Sequence, residues 1–364
     1  MRPFYPAVKL RDRELKDLIG SAAVDMYDRL TKVDPLALPI SEYNQKYLSV
    51  FKRNLEGVLQ RYTYLLYLSL QGAGDRAGLT FMDYGAGMGV LACLAKKAGV
   101  GTVILNDIFD SSCKDAAVIA QAVGVSLDHT ICGDLGDVLT YFDARRLRCD
   151  IIANWDVLEH IYDIDAFLRR LPQAGSERLR IVMASTANGA NPLVRRRIVK
   201  TQRSVENQDR PAEWGHKSRD SLQSYAAIRT RMIQQAFPQM PPQEAARLGQ
   251  LTRGLAGDDI LQAVREFQSS GLPPHPRHAT NTCDPATGNW CEQLLDPSQI
   301  LGPLQQAGFR ARILPGFYGT QRSQLTKAVG FALDRVIRLT GPCARGLALY
   351  YVLVAQREAD PRRL

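Results

Sequence analysis

The stretch Phe81–Gly99 reads FMDYGAGMGVLACLAKKAG. A short apolar run leads into three alternating glycines, and a segment with helical spacing follows at once. A strand that runs directly into glycines and a helix commonly binds a nucleotide, because the start of the helix offers free N–H groups. The glycines allow a tight turn and let the ligand touch the backbone. We therefore predict a nucleotide site at this loop.

Short apolar runs alternate with helical segments on both sides of the loop. The predicted strands are LTFMDYG, TVILND, LDHTICGD, CDIIANWD and RLRIVMAST, and the alternation returns near the carboxyl end. Continuous apolar strands between helices indicate a parallel sheet covered on both faces, a doubly wound α/β fold. We predict four segments: an N-terminal helical extension (1–75), a cofactor-binding core (76–188), a helical and loop insert (189–296) and a completion of the core sheet (297–364).

Composition limits the partners and the compartment. The 364 residues carry a formal net charge of +9, which favours an anionic partner without choosing one. Seven cysteines without a CxxC motif indicate reduced thiols, and we predict no metal site. The amino terminus has no apolar segment of signal-peptide length, and no apolar run could span a bilayer. We therefore expect a soluble cytoplasmic protein.

The acidic residues around the loop favour one nucleotide class. Asp83 precedes the glycines, and Asp107 ends the next predicted strand, where a carboxylate can accept from ribose hydroxyls. A GxGxxG frame that starts at Gly87 has the permitted Ala92 in sixth place, so a nicotinamide dinucleotide stays open. The Asp83 carboxylate would repel a pyrophosphate and attract an ammonium group. This favours S-adenosylmethionine.

Several motifs together resemble those of class I S-adenosylmethionine-dependent methyltransferases. They are DYGAGMG, VILNDIF, CGDLGD, CDIIANWDVLEHIYD and IVMASTANG, and DVLEHI is typical of the branch that contains the ubiquinone-biosynthesis O-methyltransferases. The resemblance covers about Leu79–Asn188 and Pro297–Glu358. It implies a seven-stranded, mostly parallel Rossmann-like sheet, in which the last strand inserts antiparallel between the fifth and the sixth.

The resemblance also implies a set of residues that hold S-adenosylmethionine. The methionine part would lie at Asp83, Gly85, Gly87 and Gly89, the ribose at Asp107, the adenine at Ile108, Asp134 and Leu135, and the sulfonium at Asn154 and Trp155. Two of these have structural alternatives. Asp134 could cap a helix, and Trp155 could belong to the core.

Transfer of a methyl group to a hydroxyl requires removal of a proton, which histidine can accept near neutral pH. His216 is our leading base, with Asp156 and His160 as further catalytic candidates. His216 could instead be a solvated surface histidine, and His160 could belong to a helix start. The predicted substrate-binding residues in the insert are Trp214, Arg229, Arg277 and His278. Arginines bind phosphate or carboxylate, so they favour an anionic acceptor, although they could also form a solvated face.

The sequence thus predicts an O-methyltransferase that acts on a small-molecule, sugar or glycan acceptor. Methylation of RNA, of a lipid or of a quinone is the alternative, together with a nicotinamide-dependent oxidoreductase and a non-catalytic binding subunit. No RNA-binding module signature is visible, and aromatic residues are not interleaved with the basic clusters. The amphipathic segment TKAVGFALDRVIRLTG could contact a membrane peripherally.

Overall fold

The computed structural model describes residues 1–5, 10–210, 222–276, 279–320 and 324–357. Two compact units make up the chain. The first comprises Met1–Val157, Asp165–Asn191 and Asp296–Leu364, and the second comprises Leu158–Ile164 and Pro192–Leu295. The second unit therefore takes in a short segment that follows the fourth strand, which we had predicted as part of the core.

The first unit is built on a seven-stranded sheet. Its strands are β1 (Thr80–Tyr84), β2 (Thr102–Asp107), β3 (His129–Cys132), β4 (Cys149–Trp155), β5 (Gly175–Ser185), β6 (Phe309–Pro315) and β7 (Tyr351–Arg357). Their order is β3-β2-β1-β4-β5-β7-β6. The first five strands run parallel, and β7 pairs antiparallel with both β5 and β6. The predicted fold class is confirmed, including the antiparallel strand inserted between the fifth and the sixth.

Helices flank this sheet. They are α1 (Arg13–Lys32), α2 (Glu42–Lys52), α3 (Leu55–Leu70), α4 (Val90–Lys97), α5 (Asp110–Ala122), α6 (Leu135–Arg145), α7 (Ile164–Arg170), α12 (Leu301–Gln306) and α13 (Gln324–Thr340). Helices α1 and α3 pack against α4. Leu59 and Leu65 of α3 share one core cluster with Leu91 and Leu94 of α4. The N-terminal helices therefore belong to the same compact unit as the sheet.

The second unit contains four helices among its described residues. They are α8 (Pro192–Asn207), α9 (Tyr225–Ala236), α10 (Pro242–Leu251) and α11 (Asp258–Ser270). Ile233, Leu248 and Ile260 form its small apolar core. We predicted α9 and α11 but not α8 or α10, because α8 presents only a narrow apolar stripe between its arginines. Across the described ranges, no helix combines the length and apolarity needed to cross a membrane.

Candidate functional site

The glycine loop between β1 and α4 is held in a left-handed conformation. Gly85, Gly87 and Gly89 have φ values of 70°, 55° and 72°. The Ala86 amide donates to the Asn106 carbonyl at 2.8 Å, which ties the loop to the end of β2. Gly89 is the N-cap of α4. The loop thus reaches the helix through backbone angles that side chains disfavour.

The three glycines face different surroundings. A Cβ on Gly85 would lie 2.5 Å from a Val157 methyl, and one on Gly89 would lie 2.7 Å from a Leu105 methyl. Nothing lies within 4 Å of the corresponding position on Gly87. Gly85 and Gly89 are therefore required by packing, whereas Gly87 borders open space that a ligand could occupy.

The carboxylate of Asp107 joins the end of β2 to this loop. Its Oδ2 accepts from the Gly87 amide at 2.8 Å, and its Oδ1 accepts from the Phe109 amide at 2.9 Å. The side chain is buried. Each carboxylate oxygen has a second lone pair, so Asp107 can accept from ligand hydroxyls while it keeps both backbone contacts. The structure therefore places this predicted ribose-binding side chain against the backbone of the glycine loop.

The predicted adenine contacts lie on the neighbouring loops. Ile108 is 45% exposed, although it directly follows a buried strand. Asp134 caps α6, and its Oδ1 accepts from the Gly136 and Asp137 amides at 2.7 and 3.2 Å. Leu135 is buried beside it. Asp134 therefore caps α6, which was its structural alternative. Its Oδ2 takes no part in either of these two capping bonds.

A positioning residue that we did not predict holds this edge together. The buried Asn106 amide donates to the carbonyls of Ile131 and Gly133 at 3.1 and 3.0 Å. The Gly133 amide in turn donates to the Asp107 carbonyl at 2.9 Å. These bonds fix the chain just before Asp134 relative to the end of β2. In the sequence, Asn106 directly precedes Asp107 at the end of TVILND, but we predicted a role only for Asp107.

The end of β4 carries an unusual polar side chain. Asn154 is fully buried, and neither its Oδ1 nor its Nδ2 has a hydrogen-bond partner among the described residues. A buried amide without partners costs about 1–3 kcal/mol per unsatisfied group. Asp156, two residues later, has a φ of 56°, and its Oδ1 accepts from the Thr186 amide at 2.7 Å. Such strain and unmet polarity are typical of ligand sites.

Aromatic rings surround the last residue of β4. Trp155 packs against Tyr62 and Tyr350, with ring centroids 5.8 and 5.0 Å away. Trp155 therefore packs against the core, which was its structural alternative, although its indole stays partly exposed. Burial raises the pKa of Tyr62 well above its usual value, and the charges of Asp83 and Asp156 raise it further. Tyr62 thus borders the site from α3, where sequence alone suggested only helix packing.

Asp83 differs from its prediction. We expected its carboxylate to attract an ammonium group of the ligand, but the side chain is only 3% exposed, and its Oδ2 accepts from the Ala92 amide of α4 at 3.0 Å. Burial raises the pKa of Asp83 from 3.8 to about 7, and the Ala92 bond opposes this only in part. The carboxylate therefore fastens β1 to α4 and is only partly charged at neutral pH. Its electrostatic attraction for an ammonium group is weaker than expected.

We expect Asp83→Asn to change how stability depends on pH. Between pH 3.8 and about 7 the native carboxyl keeps a proton that the unfolded chain has released, so wild-type stability falls as the pH rises. The amide does not titrate and can still accept from Ala92. The variant should therefore gain stability over the wild type up to about pH 7, by at most about 4 kcal/mol. Thermal melts across this range measure the difference, and parallel pH curves would contradict the assignment.

The second unit contains the remaining described candidates. His160 Nδ1 lies 2.9 Å from the Trp290 carbonyl, and the Trp290 amide donates to the His160 carbonyl at 3.2 Å. The Arg229 guanidinium is fully buried, forms an ion pair with Glu206 and donates to the Gly249 carbonyl. The prediction that Arg229 contacts the substrate is therefore corrected to a structural role. Trp214, His216, Arg277 and His278 lie outside the described residues.

No protein-family model matches this chain, and no curated protein matches it. Several solved methyltransferases are similar in structure. The plantazolicin methyltransferase BpumL, solved with a triazolic desmethylPZN analog and SAH, is 11% identical over 96% of this chain and 100% of its own, with a TM-score of 0.39. An S-adenosylmethionine-dependent methyltransferase from Mesorhizobium loti is 15% identical over 80% and 98% of the two chains, with a TM-score of 0.37.

A third similar structure is the ribosomal protein L11 methylase from Lactobacillus delbrueckii subsp. bulgaricus. It is 23% identical over 34% of this chain and 60% of its own, with a TM-score of 0.28. A fourth, SMU.776, was solved as a methyltransferase complexed with SAH, and this chain spans about half of its length (46%). At these identities and TM-scores, the similarities carry no conclusion about the function of this chain.

Proposed function

We propose that this chain is an S-adenosylmethionine-dependent methyltransferase. The observation that carries the proposal is the buried Asp107 carboxylate at the carboxyl end of β2, which accepts from the Gly87 amide of the glycine loop. It can accept from two ribose hydroxyls, while the exposed Ile108 offers an apolar surface to adenine. Ligands of parallel sheets bind at this edge of the strands.

Charge at this edge favours a cationic ligand over a dinucleotide. Four adjacent strands each carry an aspartate at or just beyond the carboxyl end. In the order β3-β2-β1-β4 these are Asp134, Asp107, Asp83 and Asp156. Even with Asp83 partly protonated, such a set of carboxyl groups opposes a diphosphate. S-adenosylmethionine has both an ammonium and a sulfonium charge, and the faces of Tyr62 and Trp155 suit a cation.

The end of β4 suits the reacting part of the ligand. When bound, S-adenosylmethionine would supply a methyl group activated by its positive sulfur. The Asn154 amide could donate to or accept from that ligand, which would satisfy polar atoms that otherwise have no described partner. Trp155 and Tyr62 would exclude water and restrict the approach of the acceptor. Alignment of this kind supplies most of the catalysis in a displacement between two bound reactants.

For the acceptor, we propose a hydroxyl of a small molecule, sugar or glycan, and an anionic one. Arg229 no longer supports the anionic part, because its charge is already paired. Arg195, Arg196 and Arg197 of α8 do support it, because all three are exposed. Arginine forks bind phosphate or carboxylate in a bidentate manner. We also propose His216 as the general base that removes the proton of the acceptor hydroxyl.

Calorimetry tests the cofactor class directly. We expect S-adenosylhomocysteine and S-adenosylmethionine to bind and NADH not to bind. The proton balance adds a second criterion at a pH close to the Asp83 pKa of about 7, where the carboxyl can either release or take up a proton. An ammonium group near Asp83 lowers that pKa and releases protons, whereas a diphosphate raises it and takes protons up. Binding of NADH with proton uptake, and no response to either sulfur ligand, would reject the proposal.

The base is tested by His216→Ala. With an acceptor found by screening, we expect about a 100-fold loss of kcat at neutral pH, because general base catalysis contributes on this scale. Cofactor affinity should not change. His129→Ala is the matched control, since His129 contacts Tyr141 at the start of β3. A variant that keeps the full rate removes His216 as the base but leaves the cofactor assignment intact.

A further inference from the structure

Helix α13 exposes an apolar surface that no other helix of the first unit shows among its described residues. Its buried side chains are few and include Asp334 and Ile337. Four large apolar residues of the helix are exposed, and another follows the 3-10 helix Gly341–Gly346. They are Val329 (52%), Phe331 (43%), Val336 (42%), Leu339 (85%) and Leu347 (39%).

The exposed apolar residues form a stripe. Val329, Ala332, Val336 and Leu339 follow one another at spacings of three and four, so they lie along one side of the helix. The two alanines at 328 and 332 are exposed as well and fill the space between the larger side chains. Asp334 lies on the opposite side and fastens α13 to the first unit, because its Oδ1 accepts from the Tyr318 amide at 2.8 Å. The stripe therefore faces away from the contact that holds the helix.

The exposed charges described in α13 lie along one edge of the stripe and are positive. Arg335 and Arg338 are exposed, and the Arg335 guanidinium lies over the Phe331 ring, 4.7 Å from its centroid. The only acidic residue in Gln324–Thr340 is Asp334, which is buried. A helix with an exposed apolar stripe and basic flanks is suited to the boundary between anionic headgroups and acyl chains.

We propose that the α13 face, defined as the stripe of Val329, Ala332, Val336 and Leu339 with the neighbouring Arg335 and Arg338, docks on an anionic lipid surface. The helix lies on such a surface and does not enter it fully, because Asp334 and Ile337 keep its other side against the first unit. A second copy of the chain is a poorer occupant. A twofold contact through this face would bring the same arginines together, with no exposed carboxylate of the helix to offset them.

Vesicle co-sedimentation of the whole chain tests the proposal. We expect binding to vesicles of phosphatidylcholine mixed with phosphatidylglycerol, and weaker binding to phosphatidylcholine alone. Val329→Ser combined with Leu339→Ser should lower the association constant at least about tenfold. The matched control is Leu36→Ser with Leu272→Ser, two leucines that are each 73% exposed elsewhere in the chain.

Arg335→Gln combined with Arg338→Gln supplies a test that does not alter apolar residues. This variant should lose the preference for phosphatidylglycerol and the sensitivity of binding to salt. Absence of vesicle binding, or an equal loss in the leucine control, would overturn the proposal. The proposal would also be overturned if light scattering showed a dimer that Val329→Ser with Leu339→Ser dissociates, and if the chain did not bind vesicles. Cofactor calorimetry on the same variants keeps this outcome separate from the proposed function.

Discussion

Replacing Arg229 with methionine is expected to destabilise the second unit by about 3–5 kcal/mol, the usual cost of removing one partner of a buried ion pair. Arg229 and Glu206 are both almost completely buried. Glu206 also accepts from the Thr282 hydroxyl at 2.6 Å and lies 3.4 Å from the Arg253 guanidinium. Methionine would preserve much of the volume but leave the Glu206 carboxylate without its main partner.

Hydrogen exchange resolved along the chain measures this effect, because it reports opening of α8 and α9 separately from the sheet. Arg231→Met is the matched control, since Arg231 lies on the same helix but is exposed. The double variant Arg229→Met with Glu206→Leu should recover most of the stability, because no charge is then buried alone. If the amides of α9 exchange no faster in Arg229→Met than in Arg231→Met, the Arg229–Glu206 pair has no structural role.

The second large effect concerns Asp107. We expect Asp107→Asn to weaken binding of S-adenosylhomocysteine at least about tenfold, or about 1.4 kcal/mol. An asparagine keeps one acceptor oxygen and turns an NH2 group toward either the Gly87 or the Phe109 amide. It therefore disturbs the loop and also loses an acceptor for ribose hydroxyls.

Asp110→Asn is the control for charge, because Asp110 is close in sequence but exposed and paired with Lys114. Its cofactor affinity should equal that of the wild type. Thermal melts of both variants separate a local loss of affinity from unfolding. Unchanged affinity in a folded Asp107→Asn protein would reject the ribose assignment, and it would leave the fold unaffected.

Most of the fold was predictable from local patterns. Strands such as TVILND and CDIIANWD are short, largely apolar segments typical of a buried parallel sheet, and the helices between them have clear spacing. The insertion of β7 between β5 and β6 came from the family resemblance, since no local pattern encodes strand order. Helices α8 and α10 were missed because their apolar residues are few and their polar faces dominate.

The site was less predictable, because side-chain direction depends on the whole fold. Asp83 is acidic and precedes glycines, but only the structure shows that its carboxylate turns back to the Ala92 amide. Arg229 belongs to a basic stretch, yet its burial depends on Glu206, which lies 23 residues earlier. Tyr62 reaches the site from α3, a helix that no cofactor motif includes. Such long-range partners leave no mark at the residue itself.

The central position of β7 has a consequence for synthesis on the ribosome. Within the described ranges, every other strand emerges before Tyr351, yet β6 pairs only with β7, and one edge of β5 pairs with nothing until β7 is made. A nascent chain of this protein therefore holds five paired strands and a sixth that has no place to join. Until β7 arrives, the exposed edge of β5 can pair with another extended segment, so we expect chaperone access during synthesis to raise the yield of native protein.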